Sequence, residues 1–203
     1  MADSKIVNGI DVQELGKAVQ GFQTDPSLAR FRFRATNAWD SGGHNETTIE
    51  GFYGTNQELT SPTRPFRLEA DEPEVLLGKD RAPNPVEHLL SALAACMTSS
   101  MAFHAAARGL RLKKIESELK GEIDLRGFLG IADEVRKGYQ SIDVTFRVEG
   151  DGTPEQLEEL CRFSPVLDVV AHGTTVHLAV EKLGGAQRIE QARRSEALEP
   201  AQP

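Results

Sequence analysis

Between residues 84 and 107 the chain carries a run that is apolar or small on nearly every side, NPVEHLLSALAACMTSSMAFHAAA. Its start follows helix grammar, with Asn84 at N-cap, Pro85 at N1 and Glu87 at N3. Gly109 is placed to end it. A helix without a polar face has to be covered on more than one side. Upstream, residues 11–22 predict a short amphipathic helix. Asp11 can cap it, Glu14 falls in capping-box register, and Val12, Leu15, Val19 and Phe22 share one side. RFRFRA, 30–35, alternates strictly and predicts a half-buried strand, with Phe31, Phe33 and Ala35 opposite Arg30, Arg32 and Arg34. WDSGGHNE, 39–46, reads as a turn, 47–54 as a second strand, 56–65 as a loop and 66–70 as a third strand.

Downstream the period is again two. Ile115, Leu119, Ile123 and Leu125 mark one long strand, and Ile142, Val144, Phe146 and Val148 another, joined by a long loop over 127–139. Residues 153–163 predict a helix with Thr153 at N-cap, Pro154 at N1 and Gln156 at N3. SPVLDVV, 164–170, is a second short helix or turn, and VHLAV, 176–180, a last strand. Strand blocks kept apart from helices predict an α+β fold. The 84–107 helix is hard to cover within one such chain, so an intimate, interlocked homodimer is expected. Residues 1–29 form an N-terminal helical extension, 30–183 the main domain, and 184–203 a polar tail expected to be mobile. There is no internal repeat.

Composition narrows the classes. A chain of 203 residues suits one domain with extra segments, and 39% hydrophobic residues can build a core. A formal net charge of −8 argues against a nucleic-acid partner, which needs clustered Lys and Arg. The start, MADSKIVNGIDVQEL, lacks the apolar stretch of a secretory signal, so a cytoplasmic location is expected. Residues 89–107 are about as long as a bilayer helix, roughly 20 residues. They also carry Ser91, Thr98, Ser99, Ser100 and His104, which favours a buried helix over a membrane span. Two cysteines do not make a disulfide scaffold; under reducing conditions they are packing residues or redox ones.

Cys96 lies in mid-helix, beyond the one-turn reach of the helix dipole. It is either a small buried hydrophobe or a reactive thiol whose cation comes from elsewhere, for which Arg30, Arg32 or Arg34 would serve if that strand face meets the other subunit. Glu87, nine residues earlier, is half a turn out of phase with Cys96 and suits capping. His44 is placed at a hairpin tip, as an exposed loop residue or a polar site residue. No two histidines have tight metal spacing, and no metal is expected. Leu157, Leu160, Cys161 and Ser164 follow i, i+3, i+4, i+7 spacing, so Cys161 faces the core, which suits packing or pairing with Cys96. Ser164, before Pro165, can cap the next helix.

NPVEHLLSALAACM, preceded by DEPEVLLG and followed by a hairpin and a helix ending in SPVLDVV, resembles the OsmC/Ohr family of osmotically induced and organic-hydroperoxide-resistance proteins. The resemblance spans roughly residues 30–182. It implies an OsmC-like α+β fold with sheets wrapped around a long central helix, an interlocked homodimer, and sites at the subunit interface. It further implies a thiol-dependent peroxidase acting on organic or hydrogen peroxides. In such members the first cysteine, matching Cys96, becomes a sulfenic acid, a second cysteine resolves it, and an external dithiol such as a lipoyl group reduces the disulfide, with no bound cofactor. Here Cys161 is the candidate second thiol, and Ser164, Glu87, His44 and Arg34 are candidates to line the site. Three positions depart from the peroxidase pattern: Ser164 stands where the second cysteine directly precedes proline, Val86 follows the Asn-Pro where a glutamate is usual, and WDSGGHNE carries no arginine. One alternative is a non-catalytic protein of the same fold that binds a small ligand or senses redox state; another is a one-cysteine peroxidase or other thiol enzyme in which Ser164 and His44 only line the site.

Overall fold

A computed structural model describes residues 5–61 and 63–182. The predicted tail at 184–203 lies outside the described residues. Residues 5–172 belong to one compact unit and 173–182 to another.

The first unit is mixed α+β. A two-stranded hairpin, β1 (Ile6–Val7) and β2 (Ile10–Asp11), leads into α1 (Val12–Thr24), whose first turn is capped by the Asp11 carboxylate as expected. A turn of 3-10 helix follows at Pro26–Ala29. Next come β3 (Thr36–Ser41), β4 (His44–Ile49), β5 (Phe52–Gly54), β6 (Gln57–Leu59) and β7 (Phe66–Ala70). β3, β4 and β7 form an antiparallel sheet in that order, while β5 and β6 pair with each other.

Four expectations about this region are corrected. The alternating stretch 30–35 is not a strand, because its ladder reduces to one bridge, Arg32 with Tyr53. Alternation sets which faces the side chains take (Phe31 and Phe33 do stack with Phe52) but supplies no edge to bond to. Strand β3 instead runs into the expected turn, and the chain reverses at Gly42–Gly43, where Gly42 takes φ +58. The expected 47–54 strand starts earlier and breaks at Glu50–Gly51, and part of the expected loop is β6.

A second turn of 3-10 helix, Glu74–Leu76, precedes α2 (Pro85–Ala107), 23 residues long. It is the one helix among the described residues long and apolar enough to cross a membrane. Leu93, Met97, Met101, Ala105 and Ala106 are its buried residues. β8 (Leu112–Ile123) and β9 (Tyr139–Gly150) form a long antiparallel ribbon; the short α3 (Leu125–Phe128) takes Leu125, expected in the strand, and runs into the start of the expected loop. α4 (Pro154–Cys161) carries the predicted capping box, and α5 (Pro165–His172) follows. β8, α4 and α5 all pack on α2. The core joins α2 to Leu157, Leu160 and Cys161, flanked by Ile115, Leu119, Ile142, Val144 and Phe146 from the ribbon.

Residues 173–182 contain no regular secondary structure, so the expected strand at 176–180 is not formed. Val176, Leu178 and Val180 are 79%, 87% and 86% exposed. Their alternation provides an apolar face, but a strand exists only against a partner edge.

Candidate functional site

The first turn of α2 is held from three sides. The Asn84 side chain accepts the Glu87 backbone N–H at 2.9 Å, and Glu87 Oε2 accepts the Asn84 N–H at 2.8 Å. Glu87 is thus engaged in capping. His88 Nε2 lies 2.9 Å from the Glu69 carbonyl and ties the turn to β7. Tyr139, at the start of β9, donates its hydroxyl to the Val86 carbonyl at 3.0 Å. Burial, reinforced by the Glu87 carboxylate, raises the Tyr139 pKa above its ordinary value, so the phenol stays protonated and donating.

Cys96 sits three turns further on, half-buried, as a free thiol. It precedes Met97 by one residue and so points about 100° away from Met97's direction. Leu89 and Phe103, seven residues to either side, share its face and are both exposed. The Cys96 thiol forms no hydrogen bond or ion pair among the described residues.

Cys161 stands in different surroundings. It ends α4, is 3% exposed, and packs among Leu93, Met97, Met101, Leu157 and Leu160. It lines a groove of about 690 Å3 with Met97, Met101, Ile142 and Phe146, and Cys96 is not part of that lining. Burial, with Glu158 adding to it, pushes the Cys161 thiol up to about 11. The two cysteines are not bonded to each other.

Ser164, 1% exposed, accepts the Leu167 N–H at 3.1 Å through its hydroxyl and the Asp168 N–H at 3.0 Å through its carbonyl. Its capping role is therefore met. Phe163 just before it stacks on His104 of α2, centroids 4.0 Å apart, with the Arg108 guanidinium over the same ring. Burial, and then the Arg108 charge, lower the His104 pKa, which keeps the stacked imidazole neutral.

The structure does not gather the remaining candidates around Cys96. Arg34 is half-exposed and forms a two-bond pair with Glu58. His44 is in β4 rather than at a loop tip, with Nδ1 3.1 Å from Asp40 and Nε2 3.4 Å from Glu69. That hydrogen bond is the leading cause of the lowered Asp40 pKa. Arg81 extends the chain of charges, 3.9 Å from Asp40 and 3.2 Å from the buried Asp71. Asp71 and Arg81 went unread in the sequence, where they are ten residues apart with no periodicity between them. Among the described residues no three His, Cys, Asp or Glu side chains are gathered as a metal ion requires.

A sequence profile of the family described as OsmC-like protein matches residues 78–179, a span that takes in Cys96, Cys161 and Ser164. No curated protein sequence matches the chain. Solved structures are similar at low identity. One, described as a putative osmotic stress induced and detoxification response protein from Psychrobacter arcticus, has a TM-score of 0.51 at 12% identity, covering 68% of this chain and 88% of its own. An OsmC like protein from Mycoplasma pneumoniae has 0.49 at 16%, covering 70% and 88%. An organic hydroperoxide resistance protein OsmC from Legionella pneumophila has 0.45 at 17%, covering 70% and 90%.

Proposed function

The chain belongs to the OsmC-like protein family, and from that premise we propose that it is a thiol-dependent peroxidase in which Cys96 reduces organic or hydrogen peroxides. The observation that carries the reading is the difference in surroundings of the two thiols: Cys161 is 3% exposed in the core, and Cys96 is half-buried on the face of α2 where Leu89 and Phe103 are exposed in the single chain. The thiolate attacks the distal peroxide oxygen, the O–O bond breaks, sulfur becomes a sulfenic acid, and the alkoxide leaves and takes a proton. Leu89 and Phe103 flank the sulfur with apolar surface, which suits the organic part of a hydroperoxide.

A thiolate needs a cation, and the chain supplies none to Cys96 among its described contacts. The working unit is a homodimer whose second copy covers the Leu89–Phe103 face of α2. The exposure of Phe66 and Leu68 on β7 supports the same arrangement, since a sheet needs one face covered. An external thiol closes the cycle. Peroxide consumption with dithiothreitol or dihydrolipoamide as reductant tests the reading, and Cys96→Ser is expected to abolish it.

The groove beside Ile142, Val144 and Phe146 supports a second reading, a ligand-binding protein of the same fold, because its volume falls in the range of small-molecule sites, roughly 300–1,000 Å3. A wild-type chain that consumes no peroxide but binds an apolar fluorophore displaceable by fatty acids favours that reading.

A further inference from the structure

We propose that the Cys96 sulfenic acid is resolved directly by a thiol from outside the chain, in a one-cysteine cycle that leaves Cys161 a spectator. The inference rests on the peroxidase reading of Cys96 and goes beyond it by assigning the resolving step.

Three observations carry it. First, the two sulfurs serve different surfaces. Cys161 faces the groove between α2, α4 and the β8–β9 ribbon with Met97 and Met101, whereas Cys96 is turned about 100° round α2 from Met97 toward the Leu89 and Phe103 face. Second, the position one helical turn beyond Cys161 holds Ser164, whose buried hydroxyl is engaged at the start of α5 and has no sulfur to offer. Third, condensation with a sulfenic acid draws on the thiolate, and Cys161 is held protonated to about 11 by its apolar surroundings and Glu158. Cys96, by contrast, lies outside that core cluster and is only half-buried in the single chain.

The steps balance. Cys96–S⁻ and ROOH give Cys96–SOH and ROH after proton uptake. An external R′SH attacks the sulfenic sulfur, forming Cys96–S–S–R′ and releasing water. A second thiol, either another R′SH or the other arm of a dithiol, attacks the R′ sulfur and returns Cys96 as the thiol. The sum is ROOH plus two R′SH giving ROH, water and the disulfide R′SSR′. Peroxide is reduced and the external thiol is oxidised.

The test uses the full chain, oxidised with one equivalent of an organic hydroperoxide without added thiol, in the presence of dimedone. The expected result is a dimedone adduct on Cys96 and a free Cys161 in the non-reducing peptide map. Adding glutathione in place of dimedone should give a mixed disulfide at Cys96 and sustained turnover. Cys161→Ala should keep the rate within about twofold of wild type, while Cys96→Ser falls to background. A disulfide joining Cys96 to Cys161, or to a second Cys96, in a chain that turns over peroxide overturns the one-cysteine cycle and leaves the peroxidase reading standing. A wild-type chain that consumes no peroxide overturns both. Because the peptide map is read on wild type, the result does not depend on how Cys161→Ala folds.

Discussion

Asp71, only 2% exposed, accepts both the backbone N–H and the Nε–H of Arg81, at 3.3 and 3.2 Å. This pair closes the loop that delivers the chain to Asn84 and the start of α2. Gly78 lies inside the same loop, and a Cβ there would run into the Glu72 carbonyl. The loop is thus tied by a buried carboxylate and admits no side chain at its tightest point.

Acid stability is therefore expected to depend on Asp71. Burial alone would raise its pKa, but the N–H groups of Glu72 and Arg81 and the Arg81 guanidinium outweigh it and hold the carboxyl below its ordinary value. A depressed carboxylate contributes stability that is present above the unfolded value, about 3.9, and is lost as pH falls from there through the folded value. Asp71→Asn should lower Tm at pH 7 and flatten the loss of Tm below about pH 4 relative to wild type. Thermal melts across pH 2–7 measure both. Parallel curves for the two proteins would contradict the role given to this pair.

Cys161 should titrate the other way. Its thiol pKa is raised by burial to about 11, so the stability it contributes is complete below the unfolded thiol value, about 8.5, and is lost as pH rises through 11. Burial keeps the Cys161 thiol protonated and shielded, whereas Cys96 is half-buried, and alkylation should find Cys96 first. Iodoacetamide labelling read by peptide mass should show one fast and one slow cysteine in the native chain, and two fast ones in denaturant. Equal native rates would show that Cys161 is not sealed.

How much of this was legible in the sequence depended on whether the deciding contacts are local. Asn84, Pro85 and Glu87, and again Thr153, Pro154 and Gln156, specify helix starts within four residues, and both capping boxes form as read. The ribbon was legible because Ile142, Val144, Phe146 and Val148 carry their period inside one strand. RFRFRA shows the same period but lacks a bonding edge, and VHLAV likewise; pairing partners are chosen at long range, where alternation is silent. The family resemblance, not its mid-helix placement, made Cys96 a candidate, and the i, i+3, i+4 spacing correctly faced Cys161 inward. The difference in surroundings between the two sulfurs came only with the packing of α4 and the ribbon on α2. His44, Asp40, Glu69 and Arg81 converge from separate strands and a loop, and no spacing announces that.

Ser164 offers a stability test separate from the redox chemistry. Its hydroxyl caps α5 from a fully buried position, so Ser164→Ala should cost about 1 kcal/mol, within the usual range of roughly 0.5–2 for lost caps. Chemical denaturation with an unchanged m-value measures it. In the one-cysteine cycle this variant keeps the wild-type rate of peroxide reduction at temperatures where it is folded. A large loss of activity in a folded Ser164→Ala would instead place the hydroxyl in the chemistry.

The proposed dimer makes the strongest demand on α2. Its buried residues serve only part of its circumference, yet it carries no charged side chain between Glu87 and Arg108. Leu89 and Phe103 remain exposed on the face that holds Cys96. Open apolar surface on a long helix is costly, at roughly 25 cal/mol per Å2, and a second copy removes it from water. Multi-angle light scattering should therefore give twice the chain mass. Phe103→Asp places a charge in the middle of that interface without touching the Leu93, Met97, Met101 core. It should shift the protein toward monomer and lower peroxide reduction in step with the monomer fraction, because the second copy then no longer completes the surroundings of Cys96. A monomeric wild type of full activity would refute the shared site, and a dimer that survives Phe103→Asp with unchanged activity would move the interface off this face.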